Sequence, residues 1–237
     1  MSRDAAPRHI VWDWNGTLLD DNPAMLDSVN AVCEHFGRPA IDMLTWQMAL
    51  CRPLWRCYGK ILECDLRAPQ DWAVVENIYH QAYRRNVATC QAAADAHDAL
   101  SRAKSIGMTQ SVLSMGLHDD VTGQVHHFGL HEYFDRIDGV KDAVAGGTKS
   151  SYLSTHLRDL DIDPEACVLI GDVVDDALAA QSVGAQCVLV TTGMTRRQEL
   201  QETGHPVADN LTDAIATLLG DDQRLTAPRP FEEPVPR

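Results

Sequence analysis

The chain has 237 residues, 45 % of them hydrophobic, enough for one substantial core and one small accessory domain. Its 34 acidic against 20 basic residues give a formal net charge of −14, and the basic residues form no run, which argues against a nucleic-acid partner or an anionic membrane surface. The seven cysteines include no C-x-x-C pair, the first dozen residues lack an apolar signal core, and no apolar run approaches ~18 residues, so a reduced, cytoplasmic chain without a membrane span is expected.

His9 to Trp14, H-I-V-W-D-W, reads as a short buried strand that ends at the turn signal Asn15-Gly16. A helix is predicted over 23–36, with Pro23 in its first turn and Gly37 just past its end. Met25, Leu26, Val29, Val32, Cys33 and Phe36 recur there with the 3.6-residue period of one buried face. Residues 41–64 carry Trp46 and Trp55 without a regular period, and a helix over 70–85 presents Trp72, Val75, Ile78, Tyr79 and Ala82. Between the first strand and residue 92 the expectation is therefore helix and loop throughout.

From residue 93 strands and helices alternate. Helices are predicted at 94–105, 119–129, 149–159, 175–183 and 211–219, and strands at 109–114, 135–139, 167–172 and 187–192. That alternation predicts an α/β fold: a three-layer, Rossmann-like core around a parallel sheet, with an inserted α-helical cap. The expected division is a core of 1–22 and 93–220, a cap of 23–92, and a tail of 221–237 whose four prolines and missing period predict disorder. Right-handed crossovers put every strand's carboxyl end on one edge, where such folds bind ligands.

Four chemically capable residues fall on that edge. Asp13 closes the first strand, Ser114 the strand 109–114, Asp172 the strand 167–172, and Lys149 opens a helix. Carboxylates at two strand ends suit Mg²⁺, a hard cation that takes oxygen ligands. Lys149 and the Ser114 hydroxyl are placed to hold phosphoryl oxygens, with backbone N–H groups of the 13–17 turn completing a cradle. Asp13 then becomes a candidate nucleophile forming an aspartyl-phosphate.

The order D-x-N-G-T-L, V-L-S, Lys, G-D-V-V-D-D-A-L-A-A-Q-S-V-G-A resembles the four motifs of the haloacid-dehalogenase-like hydrolases. The likeness is to their phosphoglycolate-phosphatase and β-phosphoglucomutase branch, which carries a helical cap, and it covers about residues 8–220. It implies Asp13 as nucleophile and metal ligand, Asp172 and Asp176 at the metal site, a metal-binding backbone carbonyl at residue 15, and Ser114 and Lys149 on phosphate. The implied activity is Mg²⁺-dependent hydrolysis of a small phosphorylated metabolite; monomer and homodimer both remain open. One position departs from the pattern. Residue 15, usually the aspartate that protonates the leaving group and then activates water, is Asn15, and a positioned acid or base is worth ~10²–10⁴-fold.

Three outcomes follow from Asn15: a phosphatase that is slow, restricted to good leaving groups, or served by another acid such as Asp20, His118, Glu76 or His80; a phosphonoacetaldehyde-hydrolase-like C–P hydrolase using Lys60 as a Schiff base; or a phosphoryl-binding protein without turnover. Of the remaining features, His127 and His131 share a helical face but find no further ligand, so His126, His127 and His131 read as ordinary helix residues. Asp175 reads as a carboxylate favoured by a helix N-terminus. Trp46 and Trp72 read mostly as cap core, and Trp55, flanked by Arg52 and Arg56, reads equally as core or as a substrate-facing side chain.

Overall fold

In a computed structural model the described residues are 7–51, 53–141 and 148–220. In chain order the elements are β1 (His9–Trp12), β2 (Leu19–Asp20), α1 (Asn22–His35), α2 (Met43–Ala49), α3 (Leu54–Leu62), α4 (Pro69–Asn86), β3 (Gln91–Ala92), α5 (Ala96–Ser105), β4 (Thr109–Leu117), α6 (His118–His127), β5 (Arg136–Val140), α7 (Lys149–Asp159), β6 (Cys167–Gly171), α8 (Val174–Val183), β7 (Gln186–Val190), α9 (Arg197–Glu202), β8 (Val207–Ala208) and α10 (Leu211–Leu218).

Six strands form one sheet in the order β5-β4-β1-β6-β7-β8, every neighbouring pair parallel. The chain leaves the central β1 toward β4 and β5, then returns to build β6, β7 and β8 on the other side. That reversal opens a crevice at the carboxyl ends of β1, β4 and β6. Side chains of β1 alternate between two cores: Ile10 and Trp12 pack with α5, α6 and α10, whereas Val11 packs with α7, α8 and Leu200 of α9. A third apolar cluster, separate from both, joins Val29 and Val32 of α1 to Trp46, Tyr58, Leu62 and Val75.

The structure corrects several expectations. Residues 41–64 form two helices, α2 and α3; the Asp42 side chain starts α2 by accepting the Thr45 N–H at 2.8 Å. The stretch between β1 and residue 92 is not wholly helix and loop, because β2 and β3 pair antiparallel where the chain leaves the sheet and returns. Their two-residue length falls below what an alternation pattern can reveal. Strand β4 runs on to Leu117 through an irregular register after Leu113, so Ser114 lies inside it rather than at its end. Strand β8 and helix α9 were not foreseen. The predicted disordered tail lies outside the described residues. Among those described, no helix is long and apolar enough to cross a membrane.

Candidate active site

Asp13 follows β1 by one residue, its N–H donating to the Ile170 carbonyl at 2.8 Å, and is 7 % exposed. Asp172 follows β6 by one residue, and Asp176 stands in the first turn of α8 with its Oδ2 accepting the Val173 N–H at 3.1 Å. All three carboxylates are buried, and one oxygen from each lies within 4.8 Å of the others. Lys149, first residue of α7 and also buried, brings its Nζ to 2.7 Å from Asp13 Oδ1 and ion-pairs with Asp176. The Thr148 side chain caps α7 by accepting the Ser151 N–H, which fixes where Lys149 begins.

Three carboxylates against one ammonium leave an excess of buried negative charge. Burial pushes the Asp172 carboxyl well above its ordinary range, and repulsion from Asp13 and Asp176 adds to the rise. Asp13 is also raised by burial, against the opposing pull of Lys149. Lys149 is held protonated, since the attraction of Asp13 and Asp176 outweighs its burial. Asp172 Oδ1 accepts from Thr17 Oγ at 3.2 Å and its Oδ2 from the Met194 N–H at 3.2 Å, donors too few to neutralise the cluster. An all-oxygen, negatively charged, tightly grouped donor set fits a small hard divalent cation. Glycine makes room for the Asp172 carboxylate: a Cβ at Gly193 would fall 1.8 Å from its Oδ2, and Gly16, at φ +71°, also closes on it.

Ser114 and Asn15 are tied to each other, Ser114 Oγ donating to Asn15 Oδ1 at 3.2 Å. The Asn15 amide is fully engaged. Its Nδ2 donates to Asp21 Oδ2 at 2.9 Å and to the Tyr83 hydroxyl of α4 at 2.6 Å; Tyr83 in turn donates to Asp21 Oδ2 at 2.5 Å, while Asp21 Oδ1 accepts the Gly16 N–H at 2.7 Å. The sequence singles out neither Asp21 nor Tyr83, and offers the neighbouring Asp20 among its candidate acids; Asp20 is exposed on β2, and Asp21 is the buried partner. The D-D doublet was the available signal, but only burial separates its members.

Beside the cluster, between α1–α4 and the loops after β6 and β7, lies a cavity of about 310 Å³. Glu76 and His80 line it, as does Asp175, here in a cavity wall as well as a helix first turn. Trp46 and Trp72, members of the third apolar cluster as expected, line it too, whereas Trp55 packs with that cluster and is not among the lining residues, which decides its open reading for core; Arg52 lies outside the described residues. Lys60 is exposed near the end of α3 and is likewise not among the lining residues, which removes support for its Schiff-base role. His118 accepts the Gly139 N–H at 3.2 Å, an arrangement that joins α6 to β5. His126 stacks on His131 at 4.4 Å, rather than His127 pairing with it.

Residues 144–214 match the model of the HAD-hydrolase-like family. Over 214 residues the chain is 24 % identical to phosphoglycolate phosphatase 1 of Pseudomonas aeruginosa, covering 88 % of this chain and 79 % of that one. It is 25 % identical to the phosphoglycolate phosphatase of Synechococcus elongatus, covering 81 % and 87 %. Its fold matches a haloacid-dehalogenase-like family protein of Streptococcus pneumoniae with a TM-score of 0.76 at 19 % identity, covering 90 % and 98 %. A predicted phosphatase of Clostridium acetobutylicum superposes with a TM-score of 0.79, also at 19 % identity, covering 91 % and 100 %.

Proposed function

We propose that this haloacid-dehalogenase-like hydrolase is a Mg²⁺-dependent phosphatase that hydrolyses a small phosphorylated metabolite through an aspartyl-phosphate on Asp13. One observation carries it: three buried carboxylates from two strand ends and a helix start converge within 4.8 Å, two of them paired with a buried lysine. Asp13, Asp172 and Asp176 would hold the cation, with the residue 15 carbonyl. When bound, it supplies Lewis-acid polarisation of phosphoryl oxygens and offsets the repulsion between carboxylate and phosphate.

The Asp13 carboxylate attacks phosphorus; the bond from phosphorus to the leaving oxygen breaks, and that oxygen departs with its electron pair. Lys149, which stays charged, orients Asp13 and, with the Ser114 hydroxyl, steadies the phosphoryl oxygens. Water then attacks phosphorus, releasing inorganic phosphate and restoring Asp13. Asn15 cannot move a proton in either step, so dephosphorylation is slow relative to an enzyme with a carboxylic acid there. Residues 23–92 act as the cap over a core of 1–22 and 93–220, excluding water and selecting the substrate.

In an acid quench with a phosphate-ester panel and Mg²⁺, stoichiometric phosphate should be trapped on Asp13, and Asp13→Asn should lower turnover at least ~10³-fold with the circular dichroism spectrum retained. Turnover that persists in the variant, or that ignores chelation of Mg²⁺, would overturn the proposal.

A further inference from the structure

We infer that the leaving group is a phenol: the substrate is an apolar aryl phosphate rather than the ester of a small hydroxy acid. This rests on the phosphatase proposal above and names the substrate class for the same site. Two independent observations carry it, one about shape and one about proton transfer.

The cavity adjoins the acidic cluster through residues next to Asp172, although none of the three carboxylates lines it. Val173, one residue beyond Asp172, forms part of its wall, and Met194, whose N–H meets Asp172 Oδ2, forms another part. Trp46, Trp72 and Tyr79 also line it, together with the ionisable Glu76, His80, Asp175 and Glu199. The volume of about 310 Å³ reaches the range of small-molecule pockets, ~300–1,000 Å³. A two-carbon acid would leave most of it empty and set a carboxylate among apolar walls whose acidic members, Glu76, Asp175 and Glu199, repel it, whereas an aromatic ring matches the size of the cavity and its aromatic and aliphatic side chains.

The second observation is the state of Asn15. A leaving alkoxide needs a proton as its bond to phosphorus breaks, because its conjugate acid is about as weak as water, ~15.7. A phenol ionises near ~10 and departs as phenolate without an acid beside it. The Asn15 amide spends its N–H groups on Asp21 and on Tyr83, so the residue adjoining Asp13 is committed to joining the catalytic turn to α4. A site with an aromatic-lined cavity and no acid at this position is suited to phenolate departure: Asp13 takes the phosphoryl group, the P–O bond to the ring carbon's oxygen breaks, and the phenolate collects its proton from solvent. Water then hydrolyses the acyl phosphate in the slower step.

The full-length protein with Mg²⁺ is assayed on phenyl phosphate, benzyl phosphate, 2-phosphoglycolate and acetyl phosphate. Phenyl phosphate should give a burst of about one phenol per chain, and its kcat/KM should exceed those of benzyl phosphate and 2-phosphoglycolate by ~10²-fold or more, the range of a missing acid. Trp72→Ala should lower the ratio of phenyl to acetyl phosphate turnover at least tenfold. Benzyl phosphate within about threefold of phenyl phosphate would mean that a cap group such as Glu76 or His80 supplies the proton, and would overturn the inference. So would a preference for 2-phosphoglycolate, or a Trp72→Ala ratio that does not move. Acetyl phosphate cleavage with phenyl phosphate left intact would refute the aryl class while sparing the phosphatase proposal; inertness toward all four would overturn both.

Discussion

Two polar clusters sit on the same sheet, one buried at its centre and one throughout, and are built on opposite terms. In one, Thr109, His9, Ser111, His156 and Asp138 form a chain across β4, β1, α7 and β5. His9 Nδ1 meets Thr109 Oγ at 2.7 Å, Ser111 Oγ meets His9 Nε2 at 2.8 Å and His156 Nε2 at 2.7 Å, and His156 Nδ1 meets Asp138 Oδ2 at 2.7 Å. Arg136 closes the far end by pairing with Asp138. In the other, Asp13, Asp172 and Asp176 confront a single Lys149. The first run of carboxylate, imidazole and hydroxyl has the order of a nucleophile triad, yet Ser111 is wholly buried and shared with a second imidazole, so it serves the fold. A polar cluster that serves stability is closed by its own members, whereas one that serves chemistry is left with an excess of one sign for a ligand to complete.

Acid should damage the closed cluster most. Burial, helped by His156, lowers the His9 pKa from 6.5 to about 4, so the unfolded chain takes up that proton first as pH falls. The resulting stability is fully present above pH 6.5 and is lost progressively toward pH 4, by roughly 3 kcal/mol at most. Burial raises the Asp138 carboxyl, but the hydrogen bonds from His156 and Arg136 outweigh it and hold it at about 2, so a further loss follows as pH falls through 3.8 toward 2. Urea unfolding across this range should show the fall; a flat profile from pH 6.5 to 4 would mean that His9 is not buried neutral.

Ser111→Ala strips a partner from both imidazoles and should cost about 2 kcal/mol in urea unfolding while kcat stays within about twofold. A turnover loss larger than that would merge the two clusters into one machine. Asn15 tests the boundary between them, because its amide network with Asp21 and Tyr83 is of the closed kind although it adjoins Asp13. Asn15→Asp sets a carboxylate against Asp21 and should destabilise by about 1–2 kcal/mol, recovered in the Asn15→Asp/Asp21→Asn double variant; additive losses in that cycle would refute the network. Smallest, Asp172→Asn should raise stability in chelator by about 1 kcal/mol, because it relieves crowding among buried carboxylates, while abolishing the stabilisation that added Mg²⁺ gives the parent chain. An unchanged Mg²⁺ response would exclude Asp172 from the cation's ligands.

The sequence by itself determined the alternation of strands and helices after residue 93 and singled out Asp13, Lys149, Asp172 and Asp176, which lie together in the structure, and Ser114, which meets Asn15. Those features were legible because apolar periodicity is local, and a parallel sheet necessarily gathers its strand ends on one edge. Only the tertiary structure decided which member of the Asp20–Asp21 doublet turns inward, that Tyr83 arrives from 68 residues away to hold Asn15, and that β2 pairs with β3. The same holds for the tryptophans: Trp46 and Trp72 reach the cavity and Trp55 does not, because which side of a half-buried helix faces the cleft is fixed by how α1–α4 dock on the sheet. A helix records in its own period that it has a buried face; what lies across from that face is written in a distant part of the chain, and packing alone brings the two together.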